Sequence, residues 1–179
     1  MKRLLLHSCC AVCAAYPIEK LKTDGKYTPV VYFFNPNIHP KSEHDRRRKE
    51  FIDYCEENGI EYVAEDYSEK DWYDYIKGWE DEPERGKRCE KCFEFRLEKT
   101  AQKAKTMGIN VIATTLSVSP HKDSEKIFEI ADKVAQKYDI SFIKEDFKKN
   151  DGFKKTMQIA KENNFYRQNY CGCEFSKRR

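Results

Sequence analysis

Residues 3–13 read Arg-Leu-Leu-Leu-His-Ser-Cys-Cys-Ala-Val-Cys, and the reading of that run decides the fold. Met1-Lys2-Arg3-Leu4-Leu5-Leu6 imitates a secretory leader, but His7-Ser8-Cys9-Cys10 ends the apolar run after three residues. A leader core needs about 7–15. The other reading is a short buried strand over 3–8 that delivers cysteines to its carboxyl end. Apolar runs of similar length recur at 28–34, 60–64, 109–115 and 140–144, rich in Val, Ile, Leu, Tyr and Phe. Helical stretches separate them. Residues 41–58 place Phe51, Ile52 and Cys55 on one face and stop at Gly59, and 89–107 stop likewise at Gly108. Residues 124–138 carry Ile127, Phe128, Ile130, Ala131, Val134 and Ala135 at helical spacing, with Asp123 or Ser124 as N-cap. Residues 152–163 repeat the pattern with Phe153, Met157, Ile159 and Ala160. Such alternation implies an α/β fold, a parallel sheet flanked by helices.

The chain has 179 residues, which suits one domain over 1–179 at about 100–200 residues per domain. Eleven Phe, eleven Tyr and two Trp exclude a disordered chain. With 34 Lys+Arg against 31 Asp+Glu, a formal charge of +3 excludes a basic nucleic-acid coat protein and leaves room for a local patch. No stretch approaches the roughly 18 apolar residues of a membrane span. The expected location is the cytoplasm, where thiols stay reduced and clustered cysteines point to metal or redox chemistry. The stretch 79–88, Trp-Glu-Asp-Glu-Pro-Glu-Arg-Gly-Lys-Arg, is expected to be a mobile loop.

In open α/β sheets ligands bind beyond the carboxyl ends of the strands. The loop expected after the first strand holds Cys9, Cys10 and Cys13. The second is followed by Asn35-Pro36-Asn37-Ile38-His39-Pro40, and the 109–115 strand by Leu116-Ser117-Val118-Ser119-Pro120-His121-Lys122-Asp123. Of eight cysteines, Cys55 sits among Phe51 and Ile52 and reads as core. The other seven form three groups: Cys9-Cys10-x-x-Cys13, Cys89-x-x-Cys92 and Cys171-Gly172-Cys173. Sulfurs spaced i,i+3 at a helix start face the same way, and the helix N-terminus favours thiolate. Cys10/Cys13 and Cys89/Cys92 fit that geometry. A structural zinc takes four ligands and leaves three thiols over. Four sulfurs on an iron–sulfur cluster, with three for a second metal or a redox pair, use all seven. Cys171 and Cys173 can pass two electrons as an easily reduced disulfide, hold a second iron, or simply ligate a cluster.

In combination and order, His7-x-Cys9-Cys10-x-x-Cys13, the 35–40 segment, Cys89-x-x-Cys92, Ser119-Pro120-His121-Lys122-Asp123 and Cys171-Gly172-Cys173 resemble the cobalamin-independent epoxyqueuosine reductases, the QueH family. The resemblance runs from residue 4 to about residue 176. Val12 departs from it, standing where most members are expected to have proline. The resemblance implies a fold similar to the adenine-nucleotide α-hydrolase (HUP-like) group. It implies two-electron deoxygenation of epoxyqueuosine to queuosine in tRNA, with a [4Fe-4S] cluster, an additional iron and an unidentified electron donor. Carried over by position, it assigns the cluster to Cys9, Cys10, Cys89 and Cys92, and the redox or second-iron role to Cys171 and Cys173, with Cys13 beside them as a metal ligand. An iron with an open position can act as a Lewis acid on the epoxide oxygen. His7, His39, His121 or Asp123 are the candidate proton donors.

Candidate tRNA contacts are Arg46-Arg47-Arg48-Lys49, Arg85-Gly86-Lys87-Arg88 and Lys177-Arg178-Arg179, with Phe165-Tyr166-Arg167-Gln168-Asn169-Tyr170 placed to stack a splayed base. Three other functions compete. An ATP-dependent iron–sulfur tRNA thiolase needs a glycine-rich phosphate loop, and residues 7–13 contain no glycine. A zinc-stabilised RNA-binding module would be colourless and iron-free. A thiol–disulfide oxidoreductase would work from Cys171 and Cys173 without metal.

Overall fold

The computed structural model describes residues 1–177. Arg178 and Arg179, two of the three residues of the proposed basic tail, lie outside the described residues. All five apolar runs become parallel strands: β1 (Lys2–Ser8), β2 (Tyr27–Phe33), β3 (Tyr62–Ala64), β4 (Val111–Thr114) and β5 (Ser141–Phe142). Their order in the sheet is β3-β2-β1-β4-β5. In the central strand Leu4, Leu5 and Leu6 are each 0% exposed. Leu4 and Leu6 face one layer with Val31, Phe33 and Phe51, while Leu5 faces the other with Val30, Tyr32 and Leu97. A strand buried on both faces has no polar side, so its sequence does not alternate. Each such side chain contributes about 1.5–3 kcal/mol by leaving water.

The helices are α1 (Ala11–Thr23), α2 (Lys41–Glu57), α3 (Lys70–Ile76), α4 (Lys87–Thr106), α5 (Ser124–Lys137) and α6 (Gly152–Glu162). Helices α1, α2 and α6 cover the face of Leu4 and Leu6; α4 and α5 cover the face of Leu5. Asp123 caps α5, its Oδ1 accepting from the N–H groups of Glu125 at 3.0 Å and Lys126 at 3.3 Å. Cys55 is fully buried beside Phe51, as read, and burial pushes its thiol up to about 12. Among the described residues no helix is long and apolar enough to cross a membrane.

Three expectations need correcting. Cys13 lies inside the first turn of α1, not in a loop, because the helix starts directly after Cys10. That helix escaped notice since Ala11, Ala14 and Ala15 are all buried and Pro17 sits within it, so neither an amphipathic stripe nor the usual lack of proline marks it. Helix α3 is too short, at seven residues, for a helical period to register. The loop expected over 79–88 is shorter: α4 begins at Lys87, and Arg88 is only 2% exposed.

The chain leaves β1 towards β2 on one side, and β4 pairs with β1 on the other. The crevice between the loops after β1 and β4 is thus the switch point at which such sheets hold ligands. Helix α6 fastens the far side of α1. An added Cβ on Gly152 would stand 1.9 Å from the Phe147 carbonyl oxygen and 2.9 Å from Tyr16 Cε1. Gly152→Ala must push α6 away from α1 and is expected to cost about 1–3 kcal/mol, read as a lower urea midpoint.

Candidate metal centre

Three chain segments meet at the carboxyl edge of the sheet. The first is the turn from β1 into α1. The strand ends at Ser8, so Cys9 and Cys10 no longer alternate across a pleat, and Cys10 becomes the residue before the helix. Their sulfurs are 3.9 Å apart, and those of Cys9, Cys10 and Cys13 all lie within 4.8 Å of one another. No other group of three or more His, Cys, Asp or Glu among the described residues is that tight. Hydrogen bonds from the Cys10 and Cys13 thiols hold Cys9 well below the usual thiol range; burial opposes this, and Lys122 and Arg96 assist. Cys13 pulls Cys10 down, but its bond to Cys9 and burial win and push Cys10 up to about 12. Cys13 is raised by its bonds to both neighbours and by burial. The trio therefore shares one negative charge and keeps two protons that a metal ion would displace.

The second segment is the start of α4, where the Arg85 N–H donates to Cys89 Sγ at 3.2 Å and Cys92 is buried. The third is the Cys171–Cys173 turn. Cys92 and Cys173 share an apolar cluster with Trp72, Ile76 and Phe95, and Cys171 packs against it. The Cys173 N–H donates to Cys171 Sγ at 3.4 Å. The bond from the Cys173 thiol lowers Cys171 to about 5 in spite of burial, and the same bond together with burial raises Cys173.

The 35–40 segment and α2 cradle that turn. The His39 N–H donates to the Gly172 carbonyl at 2.8 Å. Gly172 has φ +108°, and a Cβ there would meet Ile38 Cγ1 at 2.7 Å, so only glycine fits. Arg47 donates through Nη1 to the Cys171 carbonyl and through Nη2 to that of Tyr170, both at 3.2 Å, and through Nε to Glu43 Oε1 at 2.7 Å. Across the site, Gln168 Nε2–H donates to Cys10 Sγ at 3.1 Å, while its buried Oε1 has no partner among the described residues. Seven soft donors, unpaired and largely buried, together with such an unsatisfied amide, suit a thiophilic metal centre.

The four candidate proton donors are in different situations. His7 is fully buried; its Nε2–H donates to the Phe34 carbonyl at 3.3 Å, so Nδ1 accepts from the Thr114 hydroxyl at 3.0 Å. Burial, then the Arg96 charge, drive His7 down to about 3. His39 is buried with Nδ1 2.7 Å from the Tyr67 hydroxyl and Nε2 unpartnered among the described residues. A cavity of about 900 Å³ opens beside it, lined also by Tyr67, Glu69, Tyr73 and Glu174. His121 is exposed, and Asp123 is committed to capping α5.

Two of the arginines expected on phosphates are structural. Arg47 is 1% exposed and Arg88 2%. Arg88 donates to the Glu80 carbonyl at 2.8 Å, to that of Glu82, and to Ser176 Oγ at 3.3 Å. Arg46 and Arg85 remain exposed, and Arg46 lies 3.4 Å over the Tyr166 ring. Arg48 donates to the Ala64 and Glu65 carbonyls at 3.0 Å, and Lys49 pairs with Asp53 at 2.5 Å. Phe165 packs edge-on against Tyr54 at 5.2 Å, so it belongs to the core and not to a stacking platform. The sequence reading missed Arg96 and Gln168 as neighbours of the thiols. Arg96 was detectable: it lies one helical turn beyond Cys92, between the buried Phe95 and Leu97.

Comparison with known proteins agrees with the motif reading. A family model described as epoxyqueuosine reductase QueH matches residues 4–179. A protein named epoxyqueuosine reductase QueH from Histophilus somni is 42% identical over 178 residues, 98% of this chain and 72% of the relative. One of the same name from Streptococcus pyogenes is 38% identical, covering 97% of this chain and 69% of its own. Another from Thermotoga maritima is 35% identical, covering 98% and 91%. Among solved structures, a predicted subunit of tRNA methyltransferase from Methanocaldococcus jannaschii is similar with a TM-score of 0.62 and 14% identity, over 90% of this chain and 75% of that one. That likeness concerns the fold alone, a parallel sheet flanked by helices.

Two outcomes follow from the electrostatics. In reduced, metal-free protein at pH 7, iodoacetamide should alkylate Cys171 well before Cys173 as followed by peptide mass spectrometry, because only the first is thiolate there; the preference should fade below about pH 5. His7 has its folded value depressed, so its stabilising contribution is complete above about pH 6.5 and is lost as pH falls towards 3. Urea unfolding should accordingly show stability falling by a few kcal/mol between about pH 6.5 and pH 4, because one extra proton taken up on unfolding costs roughly 1.4 kcal/mol for each pH step of one.

Proposed function

The chain belongs to the epoxyqueuosine reductase family QueH, and on that premise we propose that it is the oxidoreductase that converts epoxyqueuosine in tRNA to queuosine through an iron–sulfur centre. The observation that carries this reading is the trio of free thiols, Cys9, Cys10 and Cys13, within 4.8 Å of one another at the end of β1, reached by Gln168 of the segment that carries Cys171 and Cys173. Residues 1–179 serve as one α/β domain whose loops and helix starts build that centre.

The reaction consumes two electrons and two protons, turns the epoxide into an alkene and releases its oxygen as water. We assign Cys9, Cys10, Cys89 and Cys92 to a [4Fe-4S] cluster. Cys13, beside the first two, and Cys171 and Cys173 are assigned to an additional iron or, for the last pair, to a redox role. When bound, such an iron centre would supply electrons one at a time and Lewis acidity for opening the epoxide. The chain's own residues do the rest. Cys171 as thiolate and Cys173 as thiol yield two electrons and one proton on closing to a disulfide, so the second proton of the reaction comes from another group. An external electron donor then restores them. Proton supply falls to His39 and His121 rather than to His7, whose two nitrogens are taken, or Asp123, whose carboxylate caps a helix. The cavity beside His39 is assigned to the modified nucleoside, with Arg46 and Arg85 available to tRNA phosphates.

The thiolase reading is disfavoured by the β1–α1 turn itself. It consists of Cys9 and Cys10 and contains no glycine, whereas a phosphate loop needs glycines so that backbone N–H groups can cradle pyrophosphate. The test is anaerobic. Purified protein should be brown, with iron and sulfide near four or more per chain. With epoxyqueuosine-containing tRNA and a chemical reductant it should yield a nucleoside lighter by one oxygen. Cys89→Ala should lower the rate by about a hundredfold or more. A colourless zinc protein, or one that makes product only with ATP, would overturn the assignment.

A further inference from the structure

Arg96 is 3% exposed, yet it forms no ion pair with any carboxylate among the described residues. Its guanidinium makes two long contacts to neutral acceptors: Nε–H to the Cys92 carbonyl at 3.4 Å and Nη1–H to Asn35 Oδ1 at 3.3 Å. The Phe93 ring lies 5.9 Å from it. A guanidinium stays protonated at any working pH, so burial without an anion costs several kcal/mol. The sulfur edge is where that anion is found. Asn35, which accepts from Arg96, donates Nδ2–H to the Ser8 carbonyl at 2.9 Å, one residue before Cys9. Arg96 follows Cys92 by one turn of α4. It thus sits between the β1–α1 turn and the Cys89–Cys92 turn.

Arg88, the other buried arginine of α4, offers a contrast. Its three backbone and hydroxyl acceptors tie the 80–82 turn and Ser176 to the helix, which is a fastening role. Arg96 fastens little. We propose that Arg96 is a positioning residue whose buried charge balances the negative charge of the loaded thiolate centre and sets its reduction potential. The proposal deepens the metalloenzyme reading and rests on a thiolate-bound metal, whichever metal that is.

The physical consequence is a stability pattern that a packing role does not produce. Without metal, part of the thiolate charge is replaced by protons and Arg96 is under-compensated; with metal, the full anionic centre answers it. Arg96→Met keeps most of the bulk and removes the charge, while Arg96→Lys keeps the charge. Thermal unfolding of wild type and both variants is measured in the metal-loaded form and after anaerobic stripping with a chelator. The expected result is that Arg96→Met melts no lower than wild type when stripped, gains less on loading, and releases metal to chelator about tenfold faster or more. Arg96→Lys should stay near wild type in all three. In preparations holding iron and sulfide, the midpoint potential of Arg96→Met should be more negative than that of wild type, because an anionic centre that has lost its cation accepts an electron less readily. Equal loss of stability in loaded and stripped Arg96→Met, or no difference in either metal release or potential, overturns the proposal. If wild type holds zinc, the iron–sulfur reading fails, and the stability and release comparisons still decide the role of Arg96.

Discussion

Strand β1 is closed on every side but one. Leu4 and Leu6 are buried against α1 and α2, Leu5 against α4, and both edges are hydrogen-bonded to parallel neighbours. A strand sealed in this way can present chemistry only where the ladder ends. Ser8 is that end, and the next two residues are cysteines whose side chains no longer have to alternate across a sheet. The start of α1 then brings Cys13 one turn above Cys10. Helix α4 carries Cys89 and Cys92, and the chain after α6 carries Cys171 and Cys173 and reaches Cys10 through Gln168.

That return is made by a segment with little regular structure, so it depends on outside support. Arg47 holds its carbonyls, the His39 N–H holds Gly172, and Ile38 leaves room there for a hydrogen atom only. Gln168 links the same segment to Cys10. The Asn35–Pro40 segment has a mechanical task that its composition does not announce. It is the cradle on which the last thiol pair is hung.

Electrostatics divides the Cys9–Cys13 group and the Cys171–Cys173 pair each into one anion and its proton-bearing neighbours. Cys9 is lowered while Cys10 and Cys13 are raised, and Cys171 is lowered while Cys173 is raised. Sulfurs packed this closely cannot all ionise without compensation, since like charges in a poorly solvated site repel strongly. A bound metal resolves the conflict, and buried cationic side chains reduce what remains. The burial of Cys9, Cys10 and Cys173 makes both effects larger than they would be at a surface.

Much of this was legible in the chain itself. Five apolar runs of strand length, the glycine stops at Gly59 and Gly108, the Asp123 cap and the core placement of Cys55 follow from local chemistry. Local rules failed where residues owe their place to distant partners. Arg47 and Arg88 looked like phosphate contacts because a run of basic residues carries no mark of which member points inward. Helix α1 was hidden because its first two turns, Ala11 to Ile18, are buried almost all round and so show no stripe. By itself the sequence determined which residue types were available and where strands had to end, since hydrophobic period and turn chemistry act over a few neighbours. Only the tertiary structure decided that Arg47 points inward, that Gln168 reaches Cys10, and which backbone cradles Gly172, because those are contacts between segments more than a hundred residues apart and depend on how α2 and the chain after α6 pack around the end of β1.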